Sequence, residues 1–245
     1  MFWELAVADF RMRDQGTFLG FIWTLLHPLV YFTVLYNIFN KWMGAHIENF
    51  PLYLIIGIIQ WNFFSSATSN TISAIPNYRN FVQNISFPKD VLVVSSVLTV
   101  IFSHLLELIV LFVFWFLLGR SIGIAAFILI PVIALNVYLV TAVGYVLAPV
   151  GVFFLDINRI WGILVSIGLF LTPVFYTIEL LSPSRRMIVL LNPMTHVITA
   201  TRDVMIYNEI PEIQGLLYVF MVSTVILIIG KMLFRKYEGI FPEKI

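Results

Sequence analysis

Glu107 and His104 are the side chains with the plainest chemistry. Glu107 is a carboxylate deep inside a long apolar run, and His104 lies one turn before it on the same helical face. An ionised group in such a place costs about 2.5–3.5 kcal/mol on insertion scales, so the pair must be hydrogen-bonded, protonated or open to water. It can serve as a structural bond to a neighbouring helix, or as a proton relay or a station on a transport path. A second set has helical spacing: Asn62, Ser66, Ser69 and Ser73 recur at i, i+4, i+7 and i+11, and Ser65, Thr68 and Asn70 widen the stripe. In lipid a polar stripe faces another helix or an aqueous path. Trp23, His27 and Tyr31 upstream, and Phe170 and Tyr176 around Pro173, can wall such a path with aromatic faces. Those faces suit the apolar CH sides of sugar rings, and equally suit lipid contact.

Motifs for covalent chemistry are missing. No GxxxxGK[ST] pattern occurs, because the Gly230-Lys231 pair is followed by Met232. ATP-driven work would therefore need a second chain. There is no HExxH, GxSxG or GxGxxG after a strand, no acidic loop spaced for calcium and no cysteine. We expect no catalytic residue, no metal site and no cofactor in this chain. A secondary transporter would show paired broken helices in its two halves, whereas the one broken element is near Pro193.

The elements that must position these residues follow from composition. Of 245 residues 60% are hydrophobic and 11% charged, against roughly 25% charged in soluble domains, and mean hydropathy is +0.98. The fold class is all-α integral membrane. A net charge of +1 removes the basis for nucleic-acid binding. The N-terminal MFWELAVADFRMRDQ mixes acidic with apolar residues and has no small-residue cleavage site, so we expect no removable leader.

A spanning helix needs about 20 mainly apolar residues. Six stretches qualify, near Leu19 to Phe39, Pro51 to Ile75, Val91 to Leu118, Ile122 to Phe154, Ile160 to Leu181 and Gly215 to Phe234. Between the last two, Met187 to Ala200 is too short to span and is broken by Pro193, which suits a re-entrant hairpin. Six spans put both termini on one side. That side carries Arg11, Arg13, Arg79, Lys89, Arg159, Lys231, Arg235, Lys236 and Lys244, against Lys41, Arg120, Arg185, Arg186 and Arg202 opposite, so the termini read as cytoplasmic and the hairpin as outer. Arg185, Arg186 and Arg202 flank the hairpin, where they anchor it at headgroups or guide an anionic substrate.

Two short segments complete the reading. Trp3, Ala6, Val7 and Phe10 have helical spacing with Glu4, Asp9 and Arg11 beside them, as in a helix lying in the membrane interface. After the second span, Tyr78, Phe81, Val82 and Ile85 recur at i, i+3, i+4 and i+7 among Asn77, Arg79, Asn80, Gln83 and Asn84, and Pro88 stops the helix. So short a helix is marginal alone, and its ridge must dock on lipid or in a protein groove; its amides favour the groove. Asp156 and Arg159 can pair at i, i+3.

Four stretches carry a resemblance: GTFLGFIWTLLHPLV opens the first span, NISFPKDVL turns into the third, LTPVFY closes the fifth, and LNPMTHVITATRDVMI fills the hairpin. In this order the chain resembles the membrane subunit of ATP-binding-cassette exporters of the polysaccharide type, particularly O-antigen export permeases. That family commonly has Arg-Asp after the fourth span, where this chain has Leu155-Asp156. The resemblance implies one permease domain over residues 1–245: an interfacial helix (1–15), a coupling-helix loop (76–90), an outer gate hairpin (182–212) and a cytoplasmic tail (235–245). It implies a homodimer in the bacterial inner membrane, bound to two copies of a nucleotide-binding subunit that uses ATP and Mg2+. The cargo would be a lipid-linked polysaccharide. Tyr78, Arg79, Phe81, Val82 and Ile85 would seat in the ATPase groove. Trp23, Tyr31, Asn62, Ser66, Ser69, Phe170 and Tyr176 would line the channel. Arg185, Arg186, Asn192, Pro193 and Arg202 would belong to the gate, and Arg11 and Arg13 would meet the diphosphate of the carrier lipid. Teichoic acid and capsular polysaccharide exporters use similar permeases. From another class, an ion-coupled transporter would use Glu107 and His104.

Overall fold

Proline and asparagine set the helix boundaries. Pro51, Pro183 and Pro193 occupy first-turn positions, where the missing N–H is not needed. Asn49 and Asn208 take left-handed backbone at φ 52° and 54°, turning the chain before one helix and after another. A computed structural model describes residues 2–13, 22–44, 47–118, 124–154 and 156–245. Among the described residues the secondary structure is helical: α1 (Phe2–Arg13), α2 (Ile22–Met43), α3 (Phe50–Ile72), α4 (Arg79–Asn84), α5 (Asp90–Leu117), α6 (Leu129–Phe153), α7 (Ile157–Leu171), α8 (Pro183–Leu190), α9 (Pro193–Arg202), α10 (Ile213–Tyr237) and α11 (Phe241–Lys244).

Five helices are long and apolar enough to cross a membrane: α2, α3, α5, α6 with its 3-10 lead-in, and α10. They fall on five of the six stretches expected from hydropathy. The fifth stretch differs. Its helix, α7, has 15 residues, about 22 Å at 1.5 Å per residue, and ends ten residues before the expected Leu181. The reason is local: Thr172 precedes Pro173, takes extended backbone at φ −102° and ψ 142°, and turns its hydroxyl back to the Gly168 carbonyl at 2.7 Å. The hairpin region forms two short helices, α8 and α9, joined at Leu191 and Asn192. The Asn192 side chain accepts from the Met194 N–H at 3.0 Å and donates to Thr172 Oγ1 at 2.7 Å, tying the break to the end of α7.

The centre of the molecule is α3. Leu52, Leu54, Ile55, Ile56 and Ile59 have no exposed surface, and α2, α5, α6, α7 and α9 all pack on this helix. Lipid tails are as apolar as these side chains, so close van der Waals fit and buried polar bonds hold the bundle. Both are present at the α3–α6 crossing. Asn136 Nδ2 donates to Gln60 Oε1 at 2.7 Å with neither residue exposed, and a Cβ on Gly151 would overlap the Ile72 carbonyl. α10 runs beside α6, with Gly230 against Tyr145.

Candidate functional site

The polar stripe of α3 opens onto three cavities that share walls. A space of about 460 Å³ is lined by Ser66, Ser69, Asn70, Ser73, Asn77 and Thr99. Ser66 also lines a second cavity, of about 290 Å³, with Trp23, His27, Asn62, His104 and Glu107. Asn62 and His27 in turn border a third, of about 200 Å³, with Tyr31, Trp61, Ser65 and Ser166. Helical spacing therefore produces a groove that begins at Asn77, before α4, and follows α3 along the bundle.

Glu107 and Asn62 meet in the second cavity. Asn62 Nδ2 donates to Glu107 Oε1 at 2.5 Å, a bond between helices across the α3–α5 contact. His104 Nδ1 stands 3.6 Å from Glu107 Oε2, and Phe63 stacks on the imidazole at 4.3 Å. Other parts of the stripe serve packing. Thr68 is buried and accepts the Trp161 indole N–H at 2.9 Å, Asn70 donates to the Ser96 carbonyl at 2.9 Å, and Ser73 accepts from Asn158 at 3.2 Å.

The seven expected channel residues do not all converge. Trp23, Tyr31, Asn62, Ser66 and Ser69 line the three cavities. Phe170 and Tyr176 stand outside them, grouped around Phe175 beyond the end of α7, where the Tyr176 hydroxyl donates to the Phe170 carbonyl at 3.3 Å.

The segment after α3 is a 3-10 turn, Pro76–Tyr78, followed by α4. Its ridge is divided. Phe81 and Ile85 are each 52% exposed and Arg79 is exposed, whereas Val82 is buried among Ala74, Ile75, Val152 and Phe241. The Tyr78 hydroxyl donates to an Asp9 carboxylate oxygen of α1, and burial followed by the Asp9 bond and charge raises the phenol pKa. Gln83 Nε2 donates to the Ile245 carbonyl at 2.6 Å, and Glu238 accepts the Lys89 N–H at 3.1 Å. Spacing identified the ridge, but α1, α11 and the end of α10 decide which half of it points inward.

Arg202 is the clearest surprise. Arg185 and Arg186 are exposed, as a headgroup anchor or guide requires. Arg202 is 2% exposed: Nη1 donates to the Pro173 carbonyl at 2.7 Å, Nη2 to Tyr53 and Val174 carbonyls at 3.0 and 2.8 Å, and Nε to Tyr53 again at 3.2 Å. It fastens α9 to α3 and to the Thr172–Val174 turn instead of facing headgroups or a substrate. A charged residue at the end of an apolar helical run signals such a lock only once its partner carbonyls are known. Arg11 and Arg13 belong to α1, but their side chains lie outside the described residues, as does Leu155. Asp156 and Arg159 pair at 3.7 Å on the surface, both largely exposed.

Among the described residues no cluster of His, Cys, Asp or Glu could hold a metal ion. The family model for the ABC-2 type transporter matches residues 2–206. The chain is 29% identical over 248 residues to the O-antigen export system permease protein RfbA of Myxococcus xanthus, covering 99% of this chain and 94% of that one. It is 24% identical over 236 residues to the protein of the same name from Klebsiella pneumoniae, covering 96% and 91%. It is also 25% identical over 238 residues to the polysialic acid transport protein KpsM of Escherichia coli, covering 96% and 92%.

Proposed function

This chain belongs to the ABC-2 type transporter family, and from that membership we propose that it is the membrane-spanning subunit of an ATP-driven exporter moving lipid-linked polysaccharide of the O-antigen type across the bacterial inner membrane. The groove along α3, three cavities joined through Ser66 and Asn62, carries the reading. Hydroxyls, amides and a tryptophan face match a glycan, whose hydroxyls need partners and whose ring faces are apolar. The names of the Myxococcus and Klebsiella relatives support the substrate class. The polysialic acid in the name of the Escherichia relative supports a second reading, export of a polysaccharide other than O-antigen.

The mechanism is mechanical. Two copies of the chain form a homodimer, and each copy seats α4 on one copy of a separate ATPase subunit. Phe81 and Ile85 enter its groove while Tyr78 and Val82 hold α4 to the rest of the permease. ATP binding and hydrolysis in the partner, with its Mg2+, shift α4. Because Asp9 is bonded to Tyr78 and Gln83 to the C-terminal carbonyl, α1 and the tail move with it. Both termini are cytoplasmic, with α1 lying in the interface beside the substrate entrance and Arg11 and Arg13 meeting the carrier's diphosphate. α7 with the turn that follows makes a sixth crossing, and α8 and α9 dip from the outer face as the gate hairpin. The exposed face of α7, with Ile160, Ile163, Leu164 and Ile167, and that of α2 are available to lipid and to the second copy.

Co-purification tests this. The chain expressed with ATPase subunits from its own organism should retain a Walker-bearing partner, and its deletion should remove long glycan from the cell surface. A homodimer that binds no ATPase, in cells whose surface glycan is unchanged without it, overturns the reading.

A further inference from the structure

Residues that line the second cavity carry buried polar atoms without a hydrogen bond. Glu107 is 3% exposed; Asn62 occupies Oε1, and Oε2 has no hydrogen bond. His104 is 2% exposed and neither ring nitrogen makes a hydrogen bond, with Nδ1 standing 3.6 Å from Glu107 Oε2. Both residues line a space of about 290 Å³. A buried polar group left unpaired is costly, so a cavity with three such atoms on one wall is built to receive hydrogen bonds. Trp23, 54% exposed, lines the same space, as does Phe63, whose ring stacks on the imidazole.

Size and donor balance define the ligand. A water molecule occupies about 30 Å³, so the space is many times what an ion or single water needs and matches a sugar ring with its hydroxyls. A carboxylate oxygen only accepts hydrogen bonds, and a neutral imidazole offers one donor and one acceptor. The wall therefore asks for donors. Hydroxyl groups supply them and accept in return, whereas a carboxylate or phosphate on the ligand supplies acceptors alone. Among the described residues lining the three cavities, the ionisable ones are His27, Tyr31, His104 and Glu107, and none is Lys or Arg.

We propose that the second cavity is a subsite for an uncharged, hydroxyl-bearing sugar unit: Glu107 and His104 bond adjacent hydroxyls, Trp23 covers the apolar ring face, and the path favours neutral glycans over polyanionic ones. This rests on the reading of the chain as a glycan permease and disfavours a polyanion such as the polysialic acid in one relative's name.

The test uses the full-length chain in lipid nanodiscs and saturation-transfer NMR with two probes of equal length, neutral maltotetraose and anionic tetragalacturonate. Maltotetraose should show saturation transfer at least fivefold above tetragalacturonate. Glu107→Gln keeps the shape and places donor N–H atoms where an acceptor stood; it should weaken the neutral probe at least fivefold and narrow or reverse the preference. Trp23→Ala, at an exposed position where folding is not at stake, should weaken the neutral probe by a similar factor. Equal binding of both probes to the unaltered chain, no binding of either, or neutral binding indifferent to both substitutions overturns the subsite. Deletion of the chain in its host separates the two claims: surface glycan lost without probe binding removes the subsite alone, whereas surface glycan unaffected by the deletion removes the transport reading.

Discussion

The guanidinium carbon of Arg202 lies 3.3 Å from the centroid of the Tyr53 ring, and the same guanidinium donates to the Tyr53 carbonyl through Nε and Nη2. One residue of α3 thus supplies both a ring face and a backbone acceptor to a buried cation whose other hydrogen bonds end on Pro173 and Val174 carbonyls. The Tyr53 hydroxyl continues the network to the Tyr176 carbonyl at 2.8 Å. The break after α7 is held in place by this cluster.

Arg202→Ala should therefore destabilise the chain by about 3 kcal/mol, because three carbonyls lose their donor in an interior site. Arg202→Lys should recover less than half of that, since an ammonium has no planar fork to reach Tyr53, Pro173 and Val174 together. Thermal unfolding in detergent measures both. Equal stability of the lysine variant and the unaltered chain would contradict the lock.

Along α4 the two halves of the ridge should separate by phenotype. Phe81→Ala with Ile85→Ala removes exposed side chains and should leave melting unchanged while cutting ATPase co-purification at least tenfold. Val82→Ala opens a void beside Phe241 and should cost about 1–2 kcal/mol in stability. Melting curves and pull-downs on both variants show whether the division holds.

Helix contact at α3–α6 predicts a contrast between two glycines. Gly151→Ala forces a methyl group into the Ile72 carbonyl and must push the helices apart, costing about 1–3 kcal/mol. Gly162→Ala meets nothing within 4 Å and should be neutral or gain up to about 1 kcal/mol from helix propensity. The order of their melting temperatures checks the packing.

Asp203, in the π-helical turn after α9, has its pKa raised from 3.8 to about 6, chiefly by burial, then by Glu209, with Arg202 opposing and Glu212 adding a smaller increment. The folded state binds the proton more tightly than the unfolded state. Its contribution is whole below about pH 4 and is lost as pH rises through about 6. Asp203→Asn should then be the more stable chain at pH 7.5, by on the order of 1 kcal/mol after allowance for solvent screening, and should lose that advantage near pH 4. Unfolding at the two pH values decides it.

Hydropathy, spacing and missing motifs determined the membrane class, five helices within a few residues of their observed ends, the polar stripe of α3 and the short helix at 79–84. These properties are periodic or compositional, and the physics behind them is local: a backbone in lipid must bond to itself, and side chains at i and i+4 share a face. Which partner a side chain finds is not local. Arg202 reads like Arg185 and Arg186 in the sequence, yet it is buried because α3 and the Pro173 turn present three carbonyls at its height. Tyr78 and Phe81 share one ridge, yet Asp9 draws the first inward and leaves the second outside. Glu107 had to find a partner in lipid, and only the tertiary packing made that partner Asn62, leaving its second carboxylate oxygen and the His104 imidazole without a hydrogen bond.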